Sequence, residues 1–167
     1  MTFCEEMPRL VNAPAFDLDE LVGASIRDLV GCVNDDDPFG VEMLFIRVSG
    51  DEIWHRLFLQ AGIGFWEKWP EDEAFEHYLD YRRVDFAERW GLVGMSVLSA
   101  ECIGTDWGDP GVSEFRIDVG CGLLTFRFSD PSDGDSETVL DFSATKDPTT
   151  EQVADDQLPA RVESEAK

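Results

Sequence analysis

Residues 41–60 read VEMLFIRVSGDEIWHRLFLQ, and this stretch decides the fold class. Val41 to Val48 is almost continuously apolar, the pattern of a strand buried on both faces. Ser49-Gly50-Asp51 makes a tight turn, because all three residue types favour turn backbone. Ile53 to Gln60 then alternates. Ile53, His55, Leu57 and Leu59 fall on one face, and Trp54, Arg56, Phe58 and Gln60 on the other. Two such runs joined by a short turn predict an antiparallel hairpin.

Upstream, Ser25 to Val33 is a further strand, separated from the hairpin by the loop Asn34-Asp35-Asp36-Asp37-Pro38-Phe39-Gly40. Downstream, Ala61 to Trp69 is rich in aromatics but interrupted by glycine. Pro70 followed by Glu71-Asp72-Glu73 is a helix start, since proline fits the first turn and acids favour its positive end. Phe75, Tyr78 and Leu79 recur at helical spacing, which predicts an amphipathic helix over 71–81, extended after a break through 84–91. Met95 to Ile103, Glu114 to Val119, Leu123 to Phe128 and Glu137 to Phe142 are four more strands. Residues 1–16 read as an irregular lead-in, and Asp17 as the cap of one helical turn. After about Ser143 the aromatics stop and the chain turns polar. The expected organisation is one domain over 1–143 and an acidic, unstructured tail over 144–167.

A shift of 71 residues aligns the chain with itself. Leu21-Val22-Gly23 meets Leu92-Val93-Gly94, and Ser25, Asp35, Gly40, Val41, Ile46 and Val48 meet identical residues, nine identities over the 28 positions 21–48. One inserted residue then sets Gly50 against Gly122. The matches fall on turn glycines and strand aliphatics, where a shared structure needs them. They predict a duplicated β-β-β unit, with pseudo-repeats 21–60 and 92–129 and a helical linker 61–91. The fold class is therefore α+β: mainly antiparallel β, six to seven strands, one or two short helices between the halves, and a sheet curled to hide its edges.

The 167 residues carry a net charge of −23. Such a field repels nucleic-acid phosphates and anionic membranes and attracts basic protein surfaces. No apolar run approaches the ~18 residues of a membrane span. The N-terminal residues lack a basic segment followed by an apolar one, so a cytoplasmic address is expected. More than half of the net charge lies before Leu21 and after Ser129. Within the strand-rich part it concentrates in the two repeat-related loops and in 61–83.

No motif for catalysis, metal or nucleotide binding stands out. Cys4, Cys32, Cys102 and Cys121 form no Cys-x-x-Cys pair and do not space with His55 or His77 as zinc ligands would. The three later cysteines read as small buried hydrophobes. The acids of 130–137 miss the EF-hand spacing. His55 and His77 have no nucleophile in sequence context. Phe65, Trp66 and Trp69 read as packing between elements, or alternatively as an interface patch. No cofactor and no catalytic residue is assigned. The expected function is a non-enzymatic acidic binding protein, for instance an immunity or inhibitor protein that neutralises a basic partner. Asp35, Asp36, Asp37, Asp106, Trp107 and Asp109 are its candidate binding residues. The alternative is a curled β-domain that holds a small ligand or acts as an enzyme, with His55 converging on Arg56 or Arg116 in an enclosed pocket.

Overall fold

The computed structural model describes residues 10–11, 18–33, 40–104, 112–130, 132–133 and 135–145. Ten strands among them form two antiparallel sheets. The first contains β1 (Leu10–Val11), β2 (Ile26–Val33), β3 (Val41–Val48), β4 (Trp54–Gln60), β5 (Ile63–Trp69) and β6 (Arg82–Asp85), in the order β1-β5-β4-β3-β2-β6. The second contains β7 (Ser99–Gly104), β8 (Val112–Asp118), β9 (Gly122–Phe128) and β10 (Thr138–Ala144), in the order β10-β9-β8-β7. One α-helix, α1 (Phe86–Trp90), and two 3-10 turns, Leu18–Leu21 and Glu76–Tyr78, complete the described elements. The protein is thus mainly antiparallel β, with more strands than the six or seven expected.

Two expectations fail for local reasons. The segment 61–69 is a strand and not part of a helical linker. Ala61 and Gly62 both have positive φ, 52° and 71°, and join Gln60 to Ile63 in a two-residue turn. Turns of this hand match the twist of a hairpin, but alanine at the first position does not advertise one. The expected helix 71–81 is a string of turns with one 3-10 turn. Ala74 is buried and Phe75 packs on Phe45 at 4.4 Å, whereas Leu79 is 77% exposed. The i, i+3 spacing of Phe75 and Tyr78 suits a 3-10 turn as well as an α-helix. In 84–91, β6 runs straight into α1. Asp85 caps that helix by accepting from the Glu88 amide at 2.9 Å, and Gly91 ends it at φ 66°.

The pairing registers of the two sheets coincide. β2–β3 pairs Asp28, Leu29, Val30, Gly31, Cys32 and Val33 with Arg47, Ile46, Phe45, Leu44, Met43 and Val41. β7–β8 pairs the residues 71 positions later in the same register, and the irregularity at Cys32/Val33 recurs at Ile103/Gly104. The next turn is shorter by two in the second meander, because Leu44 faces Leu57 whereas Phe115 faces Phe126. By the first register Gly50 meets Cys121 and by the second Val119, so it does not meet Gly122; Gly120, between them, is the positive-φ glycine of that turn. Leu57↔Trp66 then matches Phe126↔Leu140, which makes β5 and β10 counterparts. The recurring unit is a four-strand meander, β2-β3-β4-β5 and β7-β8-β9-β10, one strand longer than the β-β-β unit expected. β1 and β6 are additions at the two edges of the first sheet.

The meanders meet in an antiparallel bridge between equivalent residues, Ser25 and Ser96. Gly23 donates to the Val97 carbonyl and Gly94 to that of Ile26, both at 2.8 Å. Ile26 donates to Met95 at 2.8 Å and Val97 to Ala24 at 2.9 Å. Exchanging the halves turns each bond into another of the set. The inner faces share one core, with Leu29, Leu44, Leu57 and Trp66 from the first sheet against Phe115, Ile117, Phe126 and Leu140 from the second. The 70–81 segment covers a smaller cluster on the outer face of the first sheet, around Cys32, Phe45, Trp54 and Ala74.

Left-handed backbone costs a non-glycine L-residue roughly 1–2 kcal/mol. Ala61→Gly or Ala61→Asn is therefore expected to stabilise the protein by about 1 kcal/mol. Urea unfolding reads this as a higher midpoint; an unchanged or lower one would remove Ala61 as a strained position.

Candidate functional site

Equivalent positions of the two meanders carry different residues, and one difference opens a cleft. Gly64 on β5 faces Leu59, and its counterpart Thr138 on β10 faces Phe128. A Cβ at Gly64 would stand 2.9 Å from Val112 Cβ and 3.0 Å from Phe115 Cζ, so the missing side chain lets β5 close directly on β8. The Val112 amide seals that contact by donating to the Gly62 carbonyl at 2.9 Å. At the equivalent place Thr138 keeps its side chain. Its buried hydroxyl donates to the Val41 carbonyl, propping β10 against β3 through a polar contact.

Beside this prop lies a cleft of about 380 Å³, at the lower end of the ~300–1,000 Å³ typical of ligand sites. Met43, Phe58 and Leu59 form its apolar wall, and Glu42, Gln60 and Glu137 its polar groups. Phe58 is held flat by stacking on Phe65 at 4.5 Å and 4°. Glu42 is fixed by the Tyr81 hydroxyl, which donates to it, and this hydrogen bond pushes the Tyr81 phenol above its usual range. Two carboxylates above an apolar wall suit a cation on an aliphatic stem. Gly40, where β3 begins, also lines the cleft, so it adjoins the root of the 34–39 loop.

His55 and Arg56 do not converge, because neighbouring strand residues point to opposite faces. His55 lies on the core side, 2% exposed. The Trp66 indole donates to its Nδ1 at 3.1 Å, leaving Nε2 to carry the proton, 3.8 Å from Asp51 Oδ2. Burial lowers its pKa, so it sits neutral. Arg56 lies on the covered side and pairs with Glu67 directly across β4–β5. Tyr78 accepts from Arg56 at 2.9 Å, the Trp69 indole donates to Glu67 at 3.0 Å, and the guanidinium lies over the Trp69 ring at 4.7 Å. Arg116 is on the outer face of the second sheet, paired with Glu114.

Asp35, Asp36, Asp37, Asp106, Trp107 and Asp109 lie outside the described residues, as do Cys4, the side chain of His77 and the tail from 146 on. What is described is where their two loops are rooted: in the β2–β3 and β7–β8 hairpins, at the matching irregularities. Glu42, Gln60 and Glu137 were not singled out by sequence reasoning. They lie far apart along the chain, and only the packing of β10 on β3, one sheet against the other, brings Glu137 to Glu42 and Gln60. Among the described residues no group of three or more His, Cys, Asp or Glu is placed to hold a metal ion, and no helix is long and apolar enough to cross a membrane. Burial pushes the Cys32 thiol up to about 11 and Cys102 to about 12, which keeps both protonated.

Fold and site together define a two-sheet antiparallel β-protein with an acid-lined cleft at the Thr138 prop. No family model matches the chain, and no match is found among curated proteins or among solved structures.

Filling the Gly64 position should overpack the core. Gly64→Ala is expected to cost roughly 1–3 kcal/mol in urea unfolding, and a neutral result would mean that β5 and β8 have room to part. For His55 the folded pKa lies below the unfolded value near ~6.5. Its contribution is therefore present above that pH and is lost as the pH falls toward the folded pKa. The stability gap between the native chain and His55→Gln should shrink from about pH 7.5 to about pH 5.5. Parallel stability–pH curves would show that His55 does not titrate on unfolding.

Proposed function

We propose that the chain is a non-enzymatic binding protein that engages a basic protein partner, in the manner of an immunity or inhibitor protein that neutralises a cationic toxin. The observation that carries this reading is the cleft. Glu42 and Glu137 stand over Met43 and Phe58, a receptor for a lysine or arginine side chain whose methylenes lie on the apolar wall while its charge meets the carboxylates. The net charge of −23 supports it by speeding encounter with a basic surface. Asp35, Asp36, Asp37, Asp106, Trp107 and Asp109 belong to the same reading. Their positions in sequence fall within equivalent hairpins, and Gly40, which follows residue 39, lines the cleft. An interface of this kind draws specificity from the anchored side chain and on-rate from the surrounding field.

The test is capture of the product of a neighbouring gene, or of a basic protein from the native lysate, at low and high salt. Binding should weaken with salt, since exposed charges are screened beyond ~8 Å at physiological ionic strength. Glu42→Gln/Glu137→Gln should weaken it about tenfold or more without moving the unfolding midpoint. Salt-insensitive capture, or a partner that is not basic, would refute the reading.

A further inference from the structure

A second cleft, of about 270 Å³, lies where β6 and α1 join the edge of β2, and it is lined oppositely. Arg82 and Arg89 line it together with Val84, Phe86, Trp90 and Leu140. Arg89 is exposed and takes part in no ion pair among the described residues. The wall is preformed, because the Trp90 ring is held between Phe86 at 4.7 Å and Phe142 at 5.6 Å. Repeat equivalence explains the space. Leu140 is the counterpart of Trp66 by strand register, and Arg89 stands 71 residues after the buried Leu18. Where the first meander fills its volume with Trp66 and Leu18, the second leaves a gap with a guanidinium at its rim.

We propose that this cleft binds a small organic carboxylate with a flat or branched apolar body. The guanidinium fork matches a carboxylate in geometry as well as charge. The edge of the Trp90 indole and the aliphatic floor of Val84 and Leu140 take the body, and the volume admits about one ring. The negative field of the whole chain opposes an anion, but at physiological salt it is screened over ~8 Å, so groups in contact decide. The acids beside its lining residues along the chain are Glu42, Asp85, Glu88 and Asp141, with Asp80 two residues before Arg82; Glu42 accepts from Tyr81, Asp85 caps α1 and Asp141 pairs with Arg127. This site is independent of the acid-lined cleft: it reads the opposite charge, at a different place.

Benzoate is the probe, titrated into the full-length chain while the Trp90 indole and Arg89 side-chain NMR signals are followed. Both should shift saturably. Benzyl alcohol, which keeps the ring and lacks the charge, should bind at least about tenfold more weakly, and so should inorganic phosphate, which lacks the body. Arg89→Gln, an exposed substitution, should weaken benzoate about tenfold and leave the unfolding midpoint in place. Leu140→Trp should abolish binding by restoring the residue found in the other meander. Equal binding of benzyl alcohol and benzoate, no saturation, or Arg89→Gln without effect would each overturn the proposal, whatever the fate of the Leu140 variant.

Discussion

Four backbone hydrogen bonds around Ser25 and Ser96 constrain everything else in the structure. An antiparallel bridge between equivalent residues places a local two-fold axis between them. Gly23 and Gly94, at φ 84° and 83°, turn the chain into this bridge from both sides, backbone that glycine adopts without steric cost. Once the two meanders are fixed there, β5 must meet β8 and β10 must meet β3. Both contacts occur, but with different side chains. A near-symmetric frame therefore converts single-residue differences into differences of shape. Gly64 against Thr138 makes one contact closed and its counterpart open, and Trp66 against Leu140 fills one volume and leaves the other empty.

The outer faces diverge in the same way. In the first sheet Arg56 faces Glu67, and at the equivalent places in the second Thr125 faces Asp141. A buried ion pair must recover the hydration it loses. Here the 70–81 segment contributes the Tyr78 hydroxyl, while Trp69 contributes an indole N–H and a ring face. The cover and the pair need each other. Without the cover the pair would be solvated and of little worth; without the pair the cover would lose one of its polar anchors, beside Arg47–Glu71 and Tyr81–Glu42. The second sheet has no such pair, and its outer face is marked by exposed ion pairs such as Arg127–Asp141. One face of the protein is thus closed by its own chain, and among the described residues no segment covers the other.

How much of this was readable follows from which signals act locally. The hairpin of 41–60 was legible because strand alternation is written residue by residue. The correspondence of β2–β3 with β7–β8 was legible because glycines and aliphatics at matching turns survive as identities. β5 was hidden because its turn uses Ala61 where asparagine or glycine would announce it. The 70–81 segment was misread because Phe75 and Tyr78 satisfy two helical periods at once. The clefts were not legible at all. Glu42 and Glu137 become neighbours only through the packing of one sheet on the other, and the basic cleft depends on Leu140 being smaller than Trp66, a comparison that needs the register of both sheets.

The cations show what the acidity does and does not decide. Arg27, Arg47, Arg56, Lys68, Arg116 and Arg127 each engage a specific carboxylate, and several of these pairs join neighbouring strands or tie a strand to a flanking segment. In a chain with so large an excess of acids, such pairing is the expected fate of a guanidinium. Arg82, Arg83 and Arg89 gather around β6 and α1, the elements added outside the four-strand meanders. Arg83 rests on the Phe75 ring at 4.3 Å, and Arg82 and Arg89 line the second cleft. A uniform field cannot produce local charge of the opposite sign; only placement can. The net charge therefore governs what approaches the protein. What it would hold is governed by the few positions where the two meanders fail to match.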